Sequence, residues 1–164
     1  DANYRFAKAD EKVWVSDNVK NLKTQTGDDY ETGVNWKKNR NTFSLGFYRL
    51  DLKNEIAYDP QPTEEDPFGK MSNLDPTRRV GVDAAGNIII TKHYSVNLQA
   101  GYVDPYFSSG TYEGNQIPSV SKYNASASLT YTQNKSWSAN ITETYHSSFY
   151  ATNDDENQGK KMPA

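Results

Sequence analysis

The residues that could do chemistry are few and scattered. His93 and His146 are the only histidines in the 164-residue chain, and there is no cysteine, which excludes disulfide scaffolds and thiolate metal sites. His93 falls in a short turn and reads as an exposed turn residue. His146 follows Tyr145 at a strand end, where a heme ligand is conceivable and a solvated histidine is the simpler assignment. The acidic runs Glu64-Glu65-Asp66 and Asp154-Asp155-Glu156 offer the oxygens that calcium prefers, but not the spacing of a calcium loop. Arg78-Arg79 could attract an anionic chelate or form a strand-end ion pair. No Ser/His/Asp set can be assembled, so no catalytic, metal or cofactor-binding residue is assigned and the chain reads as a non-enzyme. The candidate ligand contacts are Arg79 and the aromatics Tyr58, Phe68, Tyr106, Phe107 and Tyr112. For those aromatics, loop–loop packing is an equal alternative.

The elements that would position these residues are strands. From Tyr30, the side chains Tyr30, Thr32, Val34 and Trp36 alternate with Glu31, Gly33, Asn35 and Lys37. Period-two alternation marks a strand with two different surroundings. A short turn at Lys38 to Asn41 starts a second arm, Phe43, Leu45, Phe47 against Ser44, Gly46. This arm runs on to Tyr58. At roughly 3.3 Å per residue it would reach over about 50 Å, enough to cross a bilayer and project beyond it. Its apolar phase shifts at Leu50 and Leu52, which predicts a bulge where the strand leaves the membrane. Further strands are expected at Thr77 to Ile90, Tyr94 to Tyr102, Lys122 to Tyr131 and Trp137 to Tyr145, with a strand tail at Asn3 to Lys8. Asp10 to Asp29 reads as a polar loop pinned by Val13, Trp14 and Val15. Short turns at Lys38 to Asn41, Thr91 to His93 and Gln133 to Ser136 alternate with long loops at Asp59 to Asp75 and Asp104 to Pro118. The first long loop is marked by Pro60, Pro62 and Pro67. Loops of that length are uncommon in compact domains unless they are functional.

Composition selects among the all-β folds. Only 35% of residues are hydrophobic and the mean hydropathy is −0.92, which would ordinarily argue for disorder. Aromatics reach 13%, however, including 12 Tyr. A Tyr-rich, Ser/Asn-rich alternating sequence suits a sheet with one wet and one apolar face. No apolar run approaches the roughly 20 residues of a membrane helix, and a net charge of −3 gives no basic surface for nucleic acid. No signal peptide is present, so a mature piece or an internal fragment is expected.

The loop asymmetry matches a transmembrane barrel, whose turns are short on one side and long on the other. Trp36, Tyr94, Tyr131 and Trp137 fall beside the short turns, and Tyr102, Tyr123 and Tyr145 on the far side. These are two aromatic belts separated by small aliphatics. Faces such as Tyr123-Ala125-Ala127-Leu129-Tyr131 are thin for a sandwich core, which needs dense aliphatic packing. The alternative is a soluble or surface β-sandwich that binds carbohydrate through exposed Tyr and Trp. Glu143 disagrees with its apolar neighbours Trp137, Ala139, Ile141 and Tyr145. A bulge or a place near the outer rim would remove the conflict.

Four stretches carry a family resemblance. LKTQTGDDYETGVNW (Leu22 to Trp36), LDLKNEIAYDP (Leu50 to Pro60), NLDPTRRVGVD (Asn73 to Asp83) and GTYEGNQIPSVSKYNASASLTY (Gly110 to Tyr131) resemble the late strands and loops of TonB-dependent outer-membrane receptors. Together they cover nearly the whole chain in order. The resemblance implies a segment of about six to seven antiparallel strands, residues 1–164, of a larger 22-strand-type barrel in the bacterial outer membrane. It also implies partners: outer-membrane lipid, the remainder of the barrel, a plug domain that this chain lacks, and the TonB-ExbB-ExbD complex acting through that plug. The cargo implied is a ferric siderophore or similar chelate, with heme and cobalamin as alternatives.

Overall fold

The computed structural model describes residues 2–8, 22–62, 64, 66–134 and 137–164. Val13, Trp14, Val15, Glu65, Lys135 and Ser136 lie outside the described residues. The strands are β1 (Ala2–Arg5), β2 (Gln25–Lys38), β3 (Asn41–Lys53), β4 (Ile56–Asp59), β5 (Lys70–Asn73), β6 (Thr77–Ile89), β7 (Tyr94–Phe107), β8 (Tyr123–Asn134) and β9 (Trp137–His146). Seven of them form one antiparallel sheet in the order β1-β2-β3-β6-β7-β8-β9, and β4 pairs with β5 separately. The sheet is a meander, so the connections β2–β3, β6–β7 and β8–β9 share one side and the long connections share the other. No second sheet packs on it among the described residues, which leaves the sandwich alternative without a core.

The expected faces separate along the register. Trp36, Phe43, Gly86, Leu98, Ala127 and Glu143 stand opposite one another across six strands. The neighbouring row on the other face is Asn35, Ser44, Ala85, Gln99, Ser126 and Thr144. Directly opposed residues share a face, so one side of the sheet is apolar and the other polar.

The first row also measures the tilt. Trp36 and Trp137 both border short turns and mark one membrane boundary. The row from Trp36 nevertheless meets β9 at Glu143, about six residues outward of Trp137, after five strand steps. That is about 20 Å along the strands against about 24 Å across them. The corresponding tilt is roughly 40°, within the range a closed barrel requires. Ring contacts hold the belts together. Tyr131 meets Tyr94 at 4.9 Å and Trp137 at 5.6 Å, and Tyr102 meets Tyr123 at 5.0 Å.

Glu143 remains in phase with Ile141 and Tyr145. The one irregularity of the β8–β9 pair lies between Thr132 and Asn134, too far away to rotate it. A bulge is therefore not the way out. Glu143 stands one alternate position inside Tyr145, in the outer half of the band, where a lipid-facing carboxylate costs less than at the midplane.

The buried residues are not in the membrane band. Phe107 and Thr77 are fully buried, and Leu52, Val103 and Ile117 nearly so. They lie at the outer end, where Gly27, Leu52, Thr77 and Phe107 form an inward-facing row. This corrects the expected bulge at Leu50. The pairing of β3 with β2 and β6 is unbroken from Asn41 to Leu52. Beyond the membrane the outside of the wall meets water and the inside meets packed loops, so apolar residues change face while the strand continues. The break comes later, at Asn54, whose φ is 55°.

Other boundaries also move. Gln25 to Asp29 belongs to β2, not to a loop. β7 extends to Phe107, so the connection begins at Ser108 and Tyr106 and Phe107 are strand residues. The expected loop Asp59 to Asp75 is largely a hairpin arm, because β4 pairs with β5 from Ile56↔Asn73 to Asp59↔Lys70. Local rules did not show these extensions, since the extra strand residues are paired by tertiary context.

Inside the wall, two glycines allow close approach. A Cβ on Gly81 would meet the Tyr48 ring, and one on Gly101 would meet the Asp83 carboxylate at 2.6 Å. Both large side chains therefore lie flat across the neighbouring strand.

Spin labels test the two faces. In the intact barrel, a label at Leu98 should be reached by a lipid-soluble quencher and one at Gln99 by a water-soluble quencher. Equal access of both labels to the aqueous quencher would contradict the assignment.

Candidate functional site

The outer connections interlock into one structure. Its base is the arm β4–β5, which continues the β3–β6 hairpin after a kink. Asn73 fastens the kink: its Nδ2 donates to Asn54 O at 2.8 Å and Lys23 O at 3.1 Å, and its Oδ1 accepts from Lys23 N at 2.8 Å. Arg79 Nη2 reaches both Glu55 carboxylate oxygens, at 2.8 and 3.1 Å, and Thr77 Oγ1 donates to Glu55 Oε2 at 2.9 Å. Arg79 is thus engaged with the arm, and the ion-pair reading of this residue is what the structure shows.

The connection after β7 curls back on the strand. Gly114 N donates to Phe107 O at 2.9 Å, Phe107 N to Asn115 O at 3.0 Å and Ile117 N to Pro105 O at 3.1 Å. Ser108 N donates to Pro76 O at 2.7 Å and Thr111 N to Asp75 Oδ2 at 2.8 Å, which ties the curl to the foot of the arm. The segment after β9 closes the assembly. Gln116 N donates to Asn157 Oδ1 at 2.6 Å, while Asn157 Nδ2 donates to Gln116 O at 2.9 Å and Asp154 O at 3.0 Å. Asn115 Nδ2 donates to Asp155 O at 2.8 Å. Asn153 Nδ2 donates to Asp59 Oδ1 at 2.7 Å, which returns the connection to the arm.

The candidate contacts are distributed unevenly over this assembly. Phe68 is 88% exposed at the arm tip, beside the turn that Gly69 N closes on Asp66 O at 3.1 Å. Tyr58, also exposed, donates from its hydroxyl to Phe68 O. These two project together. Tyr112 lies half-buried over Phe107, ring to ring at 5.6 Å, and Phe107 is core. Tyr106 alternates to the outer face of β7, opposite Arg78. Tyr106 and Phe107 therefore cannot serve one ligand together, a division that strand register fixes and the sequence could have shown had β7 been extended.

The two histidines fall at opposite ends. His93 Nδ1 lies 2.8 Å from Thr132 O at the short-turn side. His146 stands across from Asn124 at the outer end of the polar face. Along this face lies an open hollow of 890 Å³ whose lining includes Tyr48, Asp83, Gln99, Asn124, Ser126 and His146. No group of three or more His, Cys, Asp or Glu among the described residues is arranged to hold a metal ion.

Carboxylates meet where the loops join. Burial pushes the Asp155 carboxyl above the usual carboxylate range, and the charges of Asp59, Asp154 and Asp75 push it further. The docked loops therefore hold this proton more tightly than free loops do. A penalty on docking is fully present above the raised pKa and disappears as pH falls below the ordinary aspartate value.

The family follows from the whole chain. The family model described as TonB dependent receptor-like, beta-barrel matches residues 3–164, so the chain belongs to that family, one of outer-membrane receptors and not of enzymes. The fold is similar to that of the ferric yersiniabactin uptake receptor FyuA from Yersinia pestis. There the TM-score is 0.64 at 17% identity, covering 82% of this chain and 20% of that one. FpvA of P. aeruginosa, solved with heterologous pyoverdines, gives 0.62 at 14% identity, covering 98% of this chain and 22% of that one. The chain thus spans about a fifth of the length of each. No curated protein sequence matches it significantly.

Two substitutions test the junction in the intact barrel. Asn157→Ala removes three hydrogen bonds and should weaken loop docking by about 1–3 kcal/mol, read as lost hydrogen-exchange protection in residues 108–121. Asp155→Asn should raise protection of residues 147–162 at pH 7. That gain over the native protein should vanish below the ordinary aspartate range. A gain that persists there would exclude charge as its cause.

Proposed function

We propose that this segment helps an outer-membrane receptor capture a ferric siderophore or similar metal chelate. In this reading the strands belong to the barrel wall and the interlocked loops form part of the outer capture surface. A plug domain and the TonB-ExbB-ExbD complex supply energy-dependent passage. The carrying observation is the arm, a paired hairpin on which Tyr58 and Phe68 are exposed. Inward of it along the wall lies a hollow whose lining includes Tyr48, Asp83 and His146. Family membership supports the reading, as do the uptake of ferric yersiniabactin by FyuA and the pyoverdine complexes of FpvA. Aromatic faces and nearby polar groups suit a bulky chelate with an apolar rim and polar metal-binding arms.

Loop deletion tests this. Replacing residues 61–68 of the intact receptor by a short turn should reduce chelate binding far more than Phe68→Ala, since binding is spread over several contacts. The single change should cost about 1 kcal/mol, several-fold in Kd. The barrel should still fold, because its ladders are untouched. Normal chelate binding and normal growth under iron limitation by the folded deletion variant would place capture elsewhere.

A further inference from the structure

The outer surface of the wall carries an arrangement that the capture reading does not use. Arg49 Nε and Nη2 both reach Asp51 Oδ2 at 2.8 Å, and Arg78 Nε takes the other oxygen of the same carboxylate. One carboxylate thus holds two guanidinium groups, whose side chains remain 48% and 32% exposed. Lys53 follows on the same face, and Asp28 stands opposite Asp51. Three cations therefore share this part of the face with two carboxylates. A second pair, Lys122 Nζ to Asp104 Oδ1 at 2.5 Å, continues the charged band along the sheet.

The position of this cluster gives it meaning. Arg49 stands one alternate position outward of Phe47, whose row runs through Val82 to the outer-belt residues Tyr102 and Tyr123. Directly inward on the same face are Phe47, 52% exposed, and Val80, 41% exposed. Outward, the face is charged; inward, it is apolar. A solute in water would use only the first half of this surface, and a hydrocarbon only the second.

We propose that Arg49 and Arg78 bind the phosphate of a phosphorylated lipid in the outer leaflet, with its acyl chains lying over Phe47 and Val80. A guanidinium offers a planar fork that matches phosphate oxygens. Asp51 uses only part of each fork and holds the two groups side by side, so little side-chain freedom is lost on binding. The excess positive charge favours an anionic headgroup, and the apolar footing favours a lipid over a free anion. The inference rests on the outer-membrane placement of the strands and not on which chelate is carried.

The test uses the intact barrel protein, purified in detergent and stripped of lipid. Its probes are a bisphosphorylated glycolipid and the same glycolipid without phosphates, with retention measured by native mass spectrometry. The native protein should prefer the phosphorylated form. In Arg49→Gln/Arg78→Gln, affinity for that form should fall about thirtyfold, with the dephosphorylated lipid unaffected. Arg49→Lys/Arg78→Lys should keep most of the preference, because an ammonium also binds phosphate. Equal retention of both lipids by the native protein would overturn the proposal. So would an undiminished preference in the folded Gln variant, or inorganic phosphate displacing the lipid as effectively as the phosphorylated glycolipid does. Chelate binding, followed in parallel, should not change, so failure of one reading is distinguishable from failure of the other.

Discussion

Everything in this sheet depends on the need to pair each backbone N–H and C=O where no water can reach. In hydrocarbon an unpaired group costs several kcal/mol, so strands can cross only as continuous ladders. The pairing obeys this. From Lys38↔Asn41 outward, β2 and β3 stay in register for the full length of the band, as do β3 and β6. Side chains are then free to follow the solvent on each face. Alanine suffices at Ala84, Ala100 and Ala125 because lipid, unlike a protein core, needs no interlocking shape.

That constraint relaxes at the outer boundary, and the chain changes character there. β3 carries Phe43, Leu45 and Phe47 on the lipid face, then Leu50 and Leu52 on the inner one, without a break in pairing. The inner face becomes the floor of a small core sealed by Phe107 and Ile117. Only past this core does the backbone bend, at Asn54. The arm beyond is fastened by side-chain amides and by the ion pair Arg79–Glu55, with Ile56 buried at its foot. The wall is therefore specified by backbone pairing, and the loops by particular polar side chains.

This division explains what could be read in the sequence. Strand existence, alternation, the three short turns and the two belts were legible, since period-two patterning repeats and tolerates small errors. The face change in β3 was visible but suggested a bulge, because apolar phase alone cannot distinguish a slipped strand from a changed solvent. The arm was hidden because KMSN (Lys70–Asn73) has little strand character and pairs only through IAYD (Ile56–Asp59). Of the candidate contacts, Tyr58 and Phe68 are exposed and Phe107 is buried, a difference the sequence could not show, since a loop aromatic and a buried strand-end aromatic are identical until the strand's length is known. Asn157 gave no signal. An asparagine in a polar segment can hold two bonds across 41 residues, and a third three residues away, without any local pattern.

The reciprocal Gln116–Asn157 bond has a consequence for how such a surface can change over generations. Three connections that are far apart in sequence meet at one amide pair and at Asn153–Asp59. A substitution accepted in one of them alters the footing of the others, so its effect depends on what they already carry. Sampling of new surface shapes should then proceed by linked replacements across the three connections. Insertions would accumulate first at the arm tip, beside the exposed Phe68, which lies outside both joints.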